Sequence, residues 1–457
     1  MNDSMWVSIN PATGVEIARR QTLDADGIEA TLAKAATGFE RWRHTTLEAR
    51  VDVLLQLARL LDTDRRKLAV TMSHEMGKPF RQALGEVKKC AWVCRHYAEH
   101  GPPLLNKQPQ DSDAERSWIQ YDPLGPVLAI MPWNFPLWQV FRFAAPAVLA
   151  GNVVVVKHAP NVGACSAAIS ALWRRTAAPA GLYQELPIAV EAVPSVIADR
   201  RIRAITLTGS TRAGRAVAAL AGEHLKPVVL ELGGSDPFIV TVNADIEAAV
   251  ATAVTSRVFN NGQSCIAAKR FIVERGVADR FQTGLIAAMQ ALAVGDPMDE
   301  GVDVGPLISA AARDQLHRQV TASVDAGATL ALGGRPLAGP GFFYAPTVLT
   351  DVPVDAAARR EEIFGPVATL IVVEDLDAAI AEANDTEFGL GASIWTRDER
   401  EADKAIASLE AGCVFVNGMV RSDPRLPFGG IKNSGFGREL GADGLVAFTN
   451  KKTVWCA

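Results

Sequence analysis

The chain has 457 residues, 49% of them apolar and 21% charged, with a net charge of −5. That length is too great for one small core and implies two or three domains of ~100–200 residues each. The charge balance lacks the basic footprint of a nucleic-acid binder. The most apolar stretch, residues 143–156, is broken by Pro146, Gly151 and Asn152 and falls short of the ~20 residues of a membrane helix.

The opening Met-Asn-Asp-Ser-Met-Trp has no basic region followed by an apolar core, so no signal peptide is expected and the cytoplasm is the default location. Residues 24–99 read as helical, with apolar positions recurring at helical spacing over 50–61. Cys90 and Cys94 read as packed helical thiols, because no nearby histidine or thiolate set completes four metal ligands. No metal site is expected elsewhere, and all six cysteines read as free. Gly101-Pro-Pro is expected to end the helical block.

A polar stretch over 106–116 leads to a strand-like run at 117–121. Strands are predicted at 126–131, 152–157, 204–208 and 227–230, with alanine-rich helices between them. A second alternating series runs from Pro237 to about Asn417, with strands at 271–274, 368–374, 392–395 and 413–417. Short apolar strands separated by helices imply parallel sheet and an α/β fold of two domains plus small appended elements.

Three residues offer chemistry. Cys265 follows a Gly-containing turn at the end of a helix pattern that begins near Asp245. A thiolate exposed there would add readily to a carbonyl carbon; the alternative is a buried structural thiol. Glu231 closes an apolar strand before Gly233-Gly234, at the edge that faces the ligand crevice in parallel sheets. It is either a general base or a solvated strand-end carboxylate. Asn134, in Pro132-Trp-Asn-Phe-Pro, is either a fixed amide donor for an oxyanion or an Asx turn before proline. No Gly-x-Gly-x-x-Gly fingerprint exists; the weaker cofactor candidates are Gly209-Ser210, opening a helix, and Lys157, ending a valine strand.

In order, Pro-Trp-Asn134, Lys157, Gly209-Ser210, Glu231-Leu-Gly-Gly, Gly-Gln-Ser-Cys265, Glu361-Glu-Ile-Phe-Gly-Pro and Pro427-Phe-Gly-Gly-Ile-Lys-Asn-Ser-Gly resemble the aldehyde dehydrogenase superfamily over nearly the whole chain. The resemblance implies Cys265 as nucleophile, Glu231 as the base that activates water, and Asn134 with the Cys265 N–H as oxyanion hole. It implies cofactor contacts from Trp133, Asn134, Lys157, Pro160, Gly209, Ser210, Leu232, Glu362 and Phe364. It also implies a Rossmann-like dinucleotide-binding domain (residues 1–103 and 122–232) and an α/β catalytic domain (233–435). A small β flap (104–121 and 436–457) would build a homodimer or homotetramer.

Within that superfamily the chain most resembles the short bacterial branch of the succinate-semialdehyde dehydrogenases, through Lys157-His-Ala-Pro-Asn and Glu231-Leu-Gly-Gly-Ser-Asp-Pro. Arg142, eight residues after Asn134, matches an arginine that takes a substrate carboxylate in such relatives. Phe259 stands where some relatives carry a second arginine, and Ser422, beside Arg421, matches the loop that completes the acid pocket. Pro160 replaces the glutamate that NAD-preferring relatives use on the ribose, so NADP is expected to serve at least as well as NAD. Two other readings stay open: a broad dehydrogenase of medium-chain or aromatic aldehydes, and a non-catalytic protein on the same fold.

Overall fold

The computed structural model describes residues 5–457; residues 1–4, on which the reading of the N-terminus partly rests, lie outside the described residues. The chain opens with an antiparallel hairpin, β1 (Met5–Asn10) and β2 (Val15–Gln21). Four helices follow: α1 (Ala25–Trp42), α2 (Leu47–Thr63), α3 (Arg65–Met76) and α4 (Phe80–Leu104). Their apolar stripes explain the predicted helical block, and Asp24 and Thr46 cap α1 and α2 through their side chains. Gly101-Pro-Pro does not end α4, contrary to expectation. The helix runs on to Leu104 and closes through Leu105 N on Pro102 O at 3.1 Å. Gly101 serves packing instead: a Cβ there would stand 2.3 Å from Leu149 Cδ2.

After β3 (Gln108–Pro109) and β4 (Arg116–Pro123) comes the first α/β unit. Its elements are β5 (Pro126–Ile130), α5 (Trp138–Leu149), β6 (Val153–Lys157), α6 (Gly163–Arg174), β7 (Tyr183–Glu185), α7 (Val193–Ala198), β8 (Ala204–Thr208), α8 (Thr211–Glu223) and β9 (Val228–Glu231). The second unit holds β10 (Asp236–Val240), α9 (Ile246–Val258), β11 (Ala268–Glu274), α10 (Arg275–Gln290), α11 (Ala310–Asp325), β12 (Thr329–Leu332) and β13 (Thr347–Thr350). It continues through α12 (Ala357–Arg360), β14 (Val367–Val373), α13 (Leu376–Asn384), β15 (Phe388–Gly389), β16 (Gly391–Trp395), α14 (Glu399–Ser408) and β17 (Cys413–Val416). The last elements are β18 (Ile431–Lys432), β19 (Gly435–Phe436), α15 (Gly441–Val446) and β20 (Thr449–Cys456).

The first sheet has the order β19-β9-β8-β5-β6-β7, parallel except for β19. Counted within their unit, its parallel strands run 5-4-1-2-3, the order of a doubly wound nucleotide-binding sheet. The direction in which successive strands are added reverses between β5 and β8. The second sheet has the order β12-β13-β14-β11-β10-β16-β17. A three-stranded sheet, β20-β4-β3, stands apart from both. One core joins the N-terminal helices to the first sheet, with Leu54 and Val87 in the same cluster as Val127 and Val155. Among the strands absent from the sequence reading, β7, β12 and β13 are short and β2 is almost wholly exposed, so no apolar alternation marks them.

Candidate active site

The loops that leave β5 and β8 border the point where the strand order reverses. Open parallel sheets bind ligands in that crevice. Here the loop after β5 supplies Trp133 and Asn134, and the loop after β8 supplies Gly209 and Ser210, to the wall of a groove of about 240 Å³. Ser210 caps α8, accepting from Ala213 N at 3.3 Å, so the first-turn N–H groups of that helix open toward the groove. Leu232, Glu362 and Phe364 complete the wall, with Trp133 edge-on to Phe364 at 5.8 Å. Gly233 keeps the passage narrow: a Cβ there would meet Glu362 Oε2 at 2.6 Å. Lys157 and Pro160 sit one strand farther out, at the C-terminal end of β6, off the groove wall itself. Lys157 is buried and makes no ion pair among the described residues, and burial lowers its pKa.

Cys265 lies at the end of an unusual loop. Asn260, Asn261 and Gly262 all adopt left-handed backbone, with φ of 55°, 59° and 75°. Asn and Gly tolerate that region best. The asparagine side chains then hold the loop in place. Asn260 Nδ2 donates to Asn134 O at 2.8 Å, and Asn261 Nδ2 donates to Gly77 O at 2.7 Å. From the far side, buried Lys269 donates to Ser264 O, Cys265 O and Ala267 O at 3.0, 2.7 and 3.2 Å. Burial pushes the Cys265 thiol up to about 12, with Lys269 pulling it back down. A second cavity, of about 570 Å³, opens on the other side of this loop. Among the described residues, Cys265 alone lines both spaces. A nucleophile at such a junction faces one ligand on each side, which is the arrangement a two-substrate oxidation needs.

A family model described as the aldehyde dehydrogenase family matches residues 2–454. The chain belongs to the aldehyde dehydrogenase family. It is 49% identical over 452 residues to a succinate-semialdehyde dehydrogenase [NADP(+)] of Mycobacterium avium, covering 98% of this chain and 96% of the relative. It is likewise 49% identical over 449 residues to a succinate semialdehyde dehydrogenase [NAD(P)+] of Escherichia coli, covering 98% and 97%. The crystal structure of a succinic semialdehyde dehydrogenase from Streptococcus pyogenes with NADP+ superposes with a TM-score of 0.96 at 36% identity, covering 98% and 99% of the two chains.

The remaining predicted residues of this aldehyde dehydrogenase chain fall into two groups. Arg142, Phe259 and Ser422 all line the larger cavity. Phe259 stacks on Phe135 at 5.8 Å. Arg142 is buried and ion-paired with Glu439, donates to Thr208 Oγ1 at 3.2 Å, and packs 5.0 Å from the centre of the Phe428 ring. Glu231 lies on the wall of neither space. It is fully buried beneath Gly429, and neither carboxylate oxygen has a hydrogen-bond partner among the described residues. Burial holds its pKa well above the usual carboxylate range, with Arg142 opposing and Glu439 adding to the rise. It is therefore no solvated strand end. Asn134 gives one Nδ2 proton to Gln263 O at 3.1 Å.

Sequence reasoning missed the supports. Buried Lys78 pairs with Glu86, donates to Asn134 O at 3.1 Å, and stands 4.0 Å over the Phe135 ring. Glu86 in turn accepts from Leu137 N and Trp138 N, both at 2.9 Å, which pins the start of α5. The run Asn-Asn-Gly before Cys265 carried a readable signal of left-handed backbone. Lys78, Glu86 and Lys269 carried none, because a charged residue on a helix or strand reads as solvated until its burial is known.

Proposed function

We propose that the chain oxidises succinate semialdehyde to succinate with NADP+ or NAD+, through a covalent bond between the aldehyde carbon and Cys265. The position of Cys265 between two cavities carries this reading, and two relatives at 49% identity bear the corresponding name. The donor set of the smaller groove fits a dinucleotide. A helix N-terminus and a glycine-narrowed passage beside Glu362, with the buried Lys157 at the end of the next strand, are what a pyrophosphate, a flat ring and a ribose require. The nicotinamide supplies the hydride acceptor.

The protein's own groups divide the remaining work. Cys265 gives its thiol proton to solvent, its Sγ bonds to the carbonyl carbon as the C=O π bond opens, and the oxygen that becomes anionic is held by the second Asn134 Nδ2 proton and the Cys265 N–H. Once the hydride has left, a thioester remains on Cys265. Glu231, turning out from beneath Gly429, takes a proton from the water that displaces the sulfur. Burial favours the protonated form of both groups at rest, so Glu231 acts as a base only after turning out and losing its proton, and Cys265 starts as the thiol. The acylation rate is therefore expected to climb with pH across the neutral range.

We assign residues 1–103 and 122–232 to dinucleotide binding, 233–435 to catalysis, and 104–121 with 436–457 to assembly. Support for the last comes from the separate β20-β4-β3 sheet, where Trp455 is 53% exposed. A homodimer or homotetramer would cover it. The six free cysteines suit a cytoplasmic location. For the cofactor, Pro160 leaves no carboxylate at its position to repel a 2′-phosphate.

Reduced-nicotinamide absorbance with an aldehyde panel tests the reading. Succinate semialdehyde is expected to exceed pentanal in kcat/KM by roughly 10- to 100-fold, the range one charged hydrogen bond supplies. NADP+ is expected to serve at least as well as NAD+. No turnover of any aldehyde would end the proposal, and strict dependence on NAD+ would overturn the cofactor assignment.

A further inference from the structure

The substrate cavity carries a cation that the arginine-based reading passes over. Arg142 is already neutralised by Glu439, and both are buried. Arg425 is bonded through two nitrogens to Asp423. Lys88 and Arg421 are exposed at the cavity's edge. Lys89 differs from all of these. It projects from α4 into the cavity lining, half-buried, and forms no ion pair among the described residues. Its Nζ lies 4.2 Å from the centre of the Trp138 ring and donates to Ser422 Oγ at 2.8 Å.

Ser422 Oγ also accepts from Trp138 Nε1 at 3.1 Å. A hydroxyl has two lone pairs and one proton. With both lone pairs engaged by Lys89 and Trp138, Ser422 has only its proton left to give. Two donors thus turn a neutral hydroxyl into a fixed donor, polarised by an ammonium group beside it. An anionic ligand is what such a pair receives best.

We propose that Lys89 is the specificity-determining cation of the cavity, binding with Ser422 the carboxylate end of a short ω-carboxy aldehyde. The inference rests on the proposed function and deepens it. Charge balance supports it. The Arg142–Glu439 pair is neutral as a unit, so the carboxylate brought in by substrate is matched by Lys89 and no net charge is buried. The groups facing Lys89 are Arg142 from α5, Cys90 and Glu86 from α4, and Asp423 from the loop after β17. Burial first, and Arg142 second, bring its pKa down to about 8. The preference for a carboxylated aldehyde should therefore decline as pH rises through about 8, where the free lysine loses its charge.

The test compares wild type, Lys89→Met and Lys89→Arg, with succinate semialdehyde and pentanal as substrates. The reading is the ratio of their kcat/KM values. In Lys89→Met the ratio is expected to fall roughly 10- to 100-fold, mainly through KM for succinate semialdehyde. Lys89→Arg is expected to keep it within about fivefold and to abolish its decline above pH 8, because the guanidinium stays charged. Turnover of pentanal reports that each variant is folded. A second reading avoids turnover: calorimetric binding of succinate to Cys265→Ser protein should weaken at least about tenfold when Lys89→Met is added. If the ratio in Lys89→Met stays within threefold of wild type, or if both substrates lose activity equally, the inference fails and the proposed function stands. If wild type itself shows no preference for succinate semialdehyde over pentanal, the proposed function fails first.

Discussion

The two spaces that meet at Cys265 are built in different ways. The groove is lined mostly by short contiguous loop segments at strand ends: residues 132–134 after β5, 208–210 after β8, and 232–233 after β9. The larger cavity is made of side chains from distant segments: Lys89 of α4, Trp138 and Arg142 of α5, Phe259 of the asparagine loop, and Ser422 after β17. Loops at a topological switch point can hold a dinucleotide whatever the aldehyde. Side chains on helices can change one at a time and select the aldehyde without disturbing the sheet. The comparison teaches that the reaction belongs to the fold, and substrate choice belongs to a few positions laid over it.

The largest expected effect tests the shared side of this division. As the proposed base, Glu231 would serve every aldehyde, so Glu231→Gln should slow turnover by roughly 10²–10⁴-fold for succinate semialdehyde and pentanal alike. The isosteric amide cannot take a proton from water, but it leaves the attack of Cys265 intact. Rapid mixing should therefore show one equivalent of reduced nicotinamide per site, followed by a slow steady state. Loss of that burst would show that Glu231 is needed before the thioester forms. A variant that slowed only one aldehyde would erase the distinction between the two spaces.

The same division explains what the sequence could tell. The groove was readable because Gly209-Ser210, Glu231-Leu-Gly-Gly and Glu361-Glu-Ile-Phe are contiguous segments whose backbone geometry follows from their own residues. The strand order could not be read, since it depends on which apolar strands pair across more than fifty residues. The cavity was half readable. Arg142 and Ser422 follow from the family resemblance, but Glu439 and Lys89 do not, because neither lies near a motif that names its partner. Arg142 shows the consequence. It lines the cavity while Asn134, eight residues earlier, lines the groove, so the two do not share one space, and nothing local announces that a carboxylate 297 residues later already neutralises the arginine.

That ion pair gives the next prediction. Arg142→Met leaves Glu439 buried and unpaired beside Glu231, a defect expected to cost about 3–5 kcal/mol. The denaturation midpoint should fall accordingly, and pentanal should suffer along with succinate semialdehyde. Adding Glu439→Gln removes the stranded charge and should recover most of the stability, with the substrate preference left intact because Lys89 is still present. If Arg142→Met were as stable as wild type and lost activity only toward succinate semialdehyde, the guanidinium would be free for substrate. The side-chain-built cavity would then own that residue outright.

The smallest expected effect lies beneath the groove. His158 is fully buried between β6 and the loop that carries Asn134. Its Nε2 is 2.7 Å from Pro136 O, while its Nδ1 accepts from Ala159 N at 2.9 Å. That pattern needs the neutral ring, with its proton on Nε2. Burial brings the pKa down to about 4, against roughly 6.5 for a histidine in an unfolded chain. Between these values the unfolded state binds a proton that the native state refuses, so stability rises with pH there and is lost as pH falls from about 6.5 toward 4. The ceiling on that loss is roughly 3 kcal/mol. His158→Gln cannot titrate and should flatten part of the decline in denaturant stability between pH 7 and pH 4.5. Because the native ring stays neutral at pH 5, NADP+ binding by the folded protein should change little between pH 7 and pH 5 on account of His158. An unchanged slope in the variant would mean that acid acts elsewhere, and that the loop-built groove does not depend on this ring.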